Sequence, residues 1–228
     1  MQPDSPQQQN PLLETPSRDS LDSQPPERHN DESFLMEIFK FAIIALVIVV
    51  PFRVFIAQPF IVSGASMSPT FETGQYLIID QLSYRLETPE RGDVVIFRFP
   101  QDTTKFFIKR VIGLPGETVE LNGTDVIIKQ PKDGIQFLLP EPYLTASNLK
   151  NDFSSIQLAE NEYFVMGDNR SASSDSRIWG PVTEDLIVGR AFVRLLPTSA
   201  LSMYPGDYRQ SATTTDLVPL TTETENQN

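Results

Sequence analysis

The sequence predicts a mainly β domain carried on one N-terminal transmembrane helix, with disordered polar tails at both ends. Three observations lead there. Nineteen prolines and eleven glycines among 228 residues cut the chain into short apolar runs, which suits strands and turns better than a helical bundle. One stretch, 34–60, is almost uniformly apolar. Both ends are polar and nearly free of aromatic and β-branched side chains, apart from threonine at the C-terminus.

Taken in order, residues 1–33 are rich in Gln, Pro, Ser, Asp and Asn. Such a segment buries too little surface to offset its ordering entropy, so a disordered cytoplasmic tail is expected. The apolar segment follows as FLMEIFKFAIIALVIVVPFRVFIAQPF, with the helix expected over 34–58. Its uncharged centre, 41–52, makes only about 18 Å of helix. A hydrocarbon core of ~30 Å asks for ~20 residues. Lys40 and Arg53 flank that centre on long stems that can snorkel outward, and Glu37 lies one turn before Lys40 to pair with it. With those allowances the segment spans. Arg18, Arg28 and Lys40 precede it and Arg53 follows, so the positive-inside rule leans toward a cytoplasmic N-terminus. The long acidic lead does not fit the short basic start of a cleaved signal peptide.

From residue 59 the pattern changes to short β-branched and aromatic runs separated by turn residues. These are QYLIID at 75–80, DVVIFRF at 93–99, KFFIKRVIG at 105–113, YFVMG at 163–167 and LIVGRAFVRLL at 186–196. ETVELNGTDVIIK, at 117–129, predicts a hairpin turning at Asn122-Gly123. Residues 130–160 are proline-containing and irregular, and read as an insertion or an extended loop. The β-domain is expected over 59–200 and a flexible C-terminal tail over 201–228.

Composition excludes several chemistries. There is no cysteine, and the single histidine, His29, lies in the polar tract QPPERHNDES. Thiol catalysis, disulfides and a rigid Ser-His-Asp triad are therefore not expected, and a zinc site would need almost only carboxylates. No phosphate-binding glycine motif occurs. A net charge of −12 argues against a nucleic-acid partner.

Against this background SGASMSPT, at 63–70, places three serines just after the apolar run. If one is a nucleophile, its base must be a carboxylate, a lysine or a tyrosine. A catalytic lysine has to be neutral near neutral pH, and burial achieves that by disfavouring the ammonium. Lys109 is the best placed. Strand alternation puts Phe107, Lys109 and Val111 on one face and Ile108, Arg110 and Ile112 on the other. Taken alone, that stretch reads better as a snorkelling surface lysine, and only its combination with SGASMSPT favours the base. A third cluster, MGDNRSASSDSRIWG at 166–180, has loop composition, with Asp168, Arg170, Asp175 and Arg177 as opposed charges beside the only tryptophan, Trp179.

Together these pieces resemble bacterial signal peptidase I, the leader peptidase with a Ser/Lys dyad. The likeness covers 34–197 and runs in family order: a membrane helix, SGASMSPT, RGDVVIFRFP (91–100), KRVIGLPGE (109–117) and GDNRSASSDSRIWG (167–180). The resemblance implies that Ser66 is the nucleophile and Lys109 its base. It implies that Ser173 orients the amine, that Asp175 and Arg177 pair to hold the third loop, and that Gly167 and Asp168 shape its entry. It further implies that substrate lies along the segments before the dyad, with Phe60, Val62, Ser63, Met67, Phe107 and Ile108 in contact. Gly64 stands where some family members carry a serine that completes the oxyanion hole, so backbone N–H groups, Ser66's included, would do that work here.

No metal or organic cofactor is implied. The implied substrates are exported preproteins cut after small residues of Ala-x-Ala type. The implied setting is the bilayer near the export channel, in the bacterial cytoplasmic membrane or alternatively a thylakoid membrane, with the catalytic domain on the trans side. Two rivals share parts of this pattern. Self-cleaving repressors keep the dyad but are soluble and DNA-binding. A catalytically silent membrane-anchored β-domain would have no need of Ser66, Lys109 and Ser173.

Overall fold

A computed structural model of the chain describes residues 31–51, 57–131 and 134–208. The expected N-terminal tail lies almost wholly outside these residues, as do Arg53 and the expected C-terminal tail beyond 208, whereas its first part, 201–208, is described and holds a short strand at Ser202–Met203 and the buried Pro205.

The first element is a helix, α1 (Asp31–Pro51). Residues 52–56 lie outside the described residues, and Ala57 and Gln58 belong to a strand, so the helix does not reach the expected end at residue 58. Its described apolar side chains, among them Phe34, Phe39, Phe41 and Val47, are exposed. Glu37 and Lys40 interrupt the apolar run, and the uncharged part after them measures only about 16 Å. Among the described residues no helix is long and apolar enough to cross a membrane.

The remainder is mainly β, as expected. The large sheet is built from β1 (Ala57–Ile61), β2 (Tyr76–Asp80), β3 (Val94–Phe99), β4 (Asp102–Gly113), β9 (Glu162–Met166), β10 (Val182–Thr183), β11 (Ile187–Leu196) and β12 (Ser202–Met203). Its order is β1-β2-β11-β3-β4-β9-β10, with β12 paired to β11. A smaller sheet joins β5 (Thr118–Gly123), β6 (Asp125–Lys129), β7 (Gln136–Leu138) and β8 (Asp152–Gln157) in the order β7-β6-β5-β8. Every pairing is antiparallel.

Two local expectations change. Asn122 pairs with Asp125, so the hairpin turns on Gly123 and Thr124, one residue later than read from Asn122-Gly123. Gly123, at φ +68°, meets the demand for positive φ at the first central position of such a turn. The described residues of 130–160 are not one extended loop either. They supply β7 and β8, the two edges of the small sheet, and Phe137, Leu139 and Leu158 join Val119 and Ile128 in its core. The signal was weak because β7 is three residues long and β8, DFSSIQ, leaves most of its side chains in solvent.

Alternation along β3 and β4 sorts the large sheet's side chains into two cores. Val94, Ile96 and Ile108 pack with Val62, Met67, Leu77 and Ile79. Val95, Phe97, Phe107 and Val111 pack with Tyr163, Val165 and Val182. Both faces of the later part of β4 are covered, so Lys109 through Gly113 are all buried.

Candidate active site

The serine motif forms a tight turn between β1 and β2. Val62 N donates to Gln75 O and Gly74 N to Val62 O, which closes the stem. Ser68 N donates to Ala65 O and Phe71 N to Met67 O, which coils the tip. Met67 and Phe71, both fully buried, anchor that tip in the core. Ser66 lies between the stem and the buried Met67, partly exposed, where a hydroxyl can meet both solvent and protein.

Lys109 comes from the point where β4 loses a neighbour. Pairing with β9 begins only at Arg110, opposite Met166, so the residues before it have β3 on one side and an open edge on the other. Lys109 Nζ donates to Ser66 Oγ at 2.8 Å and to Ile108 O at 2.8 Å, and lies 5.4 Å from the centre of the Phe107 ring. The residue is 4% exposed. Burial pulls the amine's pKa down from 10.5 to about 8, against the upward pull of the Asp175 and Asp168 carboxylates. About a tenth of the amine is thus neutral at pH 7, the state in which it can accept a proton, far more than for a lysine at its ordinary pKa of 10.5.

The third motif wraps the other side of the serine turn. Asn169 N donates to Ser66 O at 2.9 Å and its side-chain amide to Ala65 O at 3.1 Å. Gly167 presses on the same carbonyl, and its N–H donates to Asp175 Oδ2 at 3.0 Å. Arg177 donates to both oxygens of Asp175, at 2.7 and 2.8 Å, to Asp152 at 2.6 Å and to Arg170 O at 2.9 Å. Burial pushes the Asp175 pKa up, but Arg177, the Gly167 N–H and Ser173 together outweigh it and hold the carboxyl below its ordinary value. Asp168 is fully buried. It accepts two bonds from Arg110, at 2.9 and 2.6 Å, and one from Thr70 Oγ1 at 2.6 Å.

Ser66, Lys109, Gly167, Asp168, Asp175 and Arg177 therefore meet in one place. Ser173 is there too, but its buried hydroxyl sits against Gly167 and beside Asp175 and makes no hydrogen bond to Lys109 Nζ. Gly64 N–H is engaged by Thr73 Oγ1 at 3.1 Å, while Ser66 N–H has no partner among the described residues.

Between the open edges of β1 and β4 runs a cleft of about 480 Å³ that ends on Ser66 and Lys109. Phe60, Val62, Ser63, Phe107 and Ile108 line it. Met67 does not, because its side chain is needed to anchor the turn in the core. Ala65 and Ile96 line it without having been singled out, and Phe106, in the segment before the lysine, lines it too. The sequence reading also missed Glu141, which accepts a two-pronged pair from buried Arg170, and Asn148, whose amide donates to Ser68 O at 2.8 Å. Both lie in the segment taken for an insertion, where no local pattern marks them. Arg110 was more legible, standing directly after the lysine in the KRVIGLPGE motif.

With this geometry in view, comparisons with known proteins are informative. The family model described as signal peptidase, peptidase S26, matches residues 35–196. A protein of Synechocystis sp. named "Probable signal peptidase I-2" is 34% identical over 79% of this chain and 82% of its own length. A signal peptidase I of Leptolyngbya laminosa is 35% identical over 84% and 92% respectively. That of Bacillus amyloliquefaciens is 38% identical over 66% and 79%.

Proposed function

The chain belongs to the signal peptidase family, peptidase S26, and from that premise we propose that it cuts signal peptides from exported preproteins with Ser66 as nucleophile and Lys109 as base. It is a serine endopeptidase of that family. The observation that supports the dyad most is the 2.8 Å approach of a buried, pKa-lowered lysine amine to a partly exposed serine hydroxyl.

In the proposed reaction the neutral amine takes the Ser66 proton as Oγ attacks the scissile carbonyl. The bond forms to carbonyl carbon and its π electrons move to oxygen, where the Ser66 N–H stabilises the charge. Collapse breaks the C–N bond. The ammonium of Lys109 protonates the leaving amine, which departs as the new N-terminus of the mature protein. Water, deprotonated by the same lysine, then attacks the acyl-serine. The signal peptide leaves with a free carboxylate and Ser66 recovers its proton.

The substrate enters as an extended segment between the open edges of β1 and β4, whose unpaired backbone groups offer a ready hydrogen-bonding template. The cleft is walled by Phe60, Val62, Phe106 and Ile108, which favours small side chains of Ala-x-Ala type near the scissile bond. The apolar segment 34–58, of which α1 covers only the part up to Pro51, serves as an anchor in the cytoplasmic membrane beside the export channel. The N-terminal tail is then cytoplasmic and the β-domain lies on the trans side.

Cleavage of an Ala-x-Ala preprotein in detergent by wild type, Ser66→Ala and Lys109→Ala tests the reading. Correct cleavage by wild type, with both variants folded and inactive, is the expected result. Full activity in Lys109→Ala would remove the base assignment. Binding without turnover by the wild type would favour a silent module.

A further inference from the structure

The family match ends at residue 196, but the chain goes on and returns to the catalytic frame. Tyr204 N donates to Phe192 O at 2.7 Å, and Tyr204 itself turns the chain at φ +47°. The next residues form a Pro-Gly turn closed by Asp207 N on Tyr204 O at 3.1 Å. Gly206 has φ +73°, as a turn with proline second and glycine third requires. Pro205 is buried.

That turn sits against the residues that hold the site. Gly206 O accepts a bond from Arg110 Nη1 at 2.5 Å. A Cβ on Gly206 would stand 2.6 Å from Thr70 Cγ2 and 3.0 Å from the Phe71 ring, so backbone here meets the serine turn directly. The Tyr208 ring centre is 5.2 Å from the Arg110 guanidinium and 5.3 Å from the ring of Tyr143, which covers Arg110 at 3.9 Å. Arg110 is fully buried, with Asp168 on one side of its fork and the Gly92 and Gly206 carbonyls on the other. Asp168 in turn holds Thr70, and Arg194 donates to Thr70 O at 2.9 Å. A buried guanidinium is fixed in place only when its donors are occupied and its faces packed. Gly206 and Tyr208 supply the last of both.

We infer that Gly206 and Tyr208 are positioning residues: they close a C-terminal clasp that acts through Arg110 and Thr70 to keep the serine turn in register with Lys109. The inference rests on the dyad reading for its effect on rate, and on contacts alone for its effect on the turn.

The test uses the full chain carrying Tyr208→Ala, Tyr208→Phe or Gly206→Ala, and a chain ended at Tyr208. Amide hydrogen exchange of residues 65–71 is compared with that of the small sheet, and kcat and KM are measured on an Ala-x-Ala preprotein. Tyr208→Ala and Gly206→Ala should speed exchange of 65–71 by about tenfold or more while the small sheet is unchanged. They should lower kcat by on the order of tenfold with KM within about twofold. Tyr208→Phe, which keeps the ring, should restore both, and the chain ended at Tyr208 should behave as wild type. Unchanged exchange in 65–71, or equal acceleration in both regions, would overturn the clasp. Should Ser66→Ala still cleave, the dyad reading fails by itself and the exchange comparison still decides the clasp.

Discussion

Gly167 lies so close to the carbonyl of Ser66 that a Cβ at position 167 would stand 2.3 Å from that oxygen and 2.3 Å from Ser173 Oγ. Neither neighbour can yield, since Ser66 O also receives the Asn169 N–H and Ser173 is enclosed. Gly167→Ala should therefore push the serine turn off the lysine. A displacement of this kind costs on the order of a hundredfold in kcat. Steady-state kinetics on a preprotein, with circular dichroism to confirm folding, checks it; near-normal kcat would mean that the turn tolerates the shift.

The pH dependence follows from Lys109. In the proposed reaction the reactive form is the neutral amine, and its pKa is about 8. Activity should climb roughly tenfold per pH unit below that value and level off above it, as expected for a single essential base. A pH–rate profile of kcat/KM reads this directly. A limb centred near 10.5 would show that burial does not lower the amine in the working enzyme.

The same shift has a consequence for stability. Folding lowers the lysine pKa, so the folded state disfavours the proton that the unfolded chain keeps. Below about pH 8 both states are protonated and the full desolvation cost is present. The cost fades as pH rises from about 8 toward the unfolded value of 10.5. Lys109→Met should accordingly be more stable than wild type at pH 7, by on the order of 1–3 kcal/mol, and the gain should shrink by pH 10. Urea denaturation at the two pH values measures it; a variant less stable than wild type at pH 7 contradicts the expectation.

Asp175 raises the lysine pKa through its charge. Neutralising it in Asp175→Asn removes that support, and the profile of kcat/KM should move toward lower pH. Arg177 keeps Asp152 as a partner, so the loop retains one of its two ion pairs. A profile that stays put or moves to higher pH would mean that Asp175 does not act on the amine electrostatically.

Arg170 and Glu141 are both nearly buried, and Arg170 also donates to Gly167 O at 3.0 Å. Removing the carboxylate strands a buried guanidinium, which typically destabilises by about 3–5 kcal/mol. Glu141→Ala should show that loss in chemical denaturation. A change below about 1 kcal/mol would show that the pair is solvated enough to dispense with its partner.

Much of the β architecture was legible in residue order. Runs such as VVIFRF and LIVGRAFVRLL alternate branched and aromatic side chains, and the structure pairs them as β3 and β11. The small sheet's edges were not legible, because a three-residue strand and a mostly exposed one carry little hydrophobic pattern. The hairpin between β5 and β6 was seen but set one residue early, since Asn-Gly and Gly-Thr are both workable turn pairs and only the cross-strand register separates them.

The sequence by itself determined the family, the three chemistry-bearing motifs and the absence of any thiol or well-placed imidazole, because each is a matter of which residues stand at short range from one another. Tertiary structure decided what no spacing contains. It turned Met67 inward to the core, brought Glu141 and Asn148 from an unremarkable segment to the serine turn and the third loop, and laid Gly206 and Tyr208 against Arg110. The lowered lysine pKa belongs to the same class. It arises from burial on both faces of β4, which outweighs the upward pull of carboxylates some sixty residues away in the chain, a long-range balance that is set only when the sheets close.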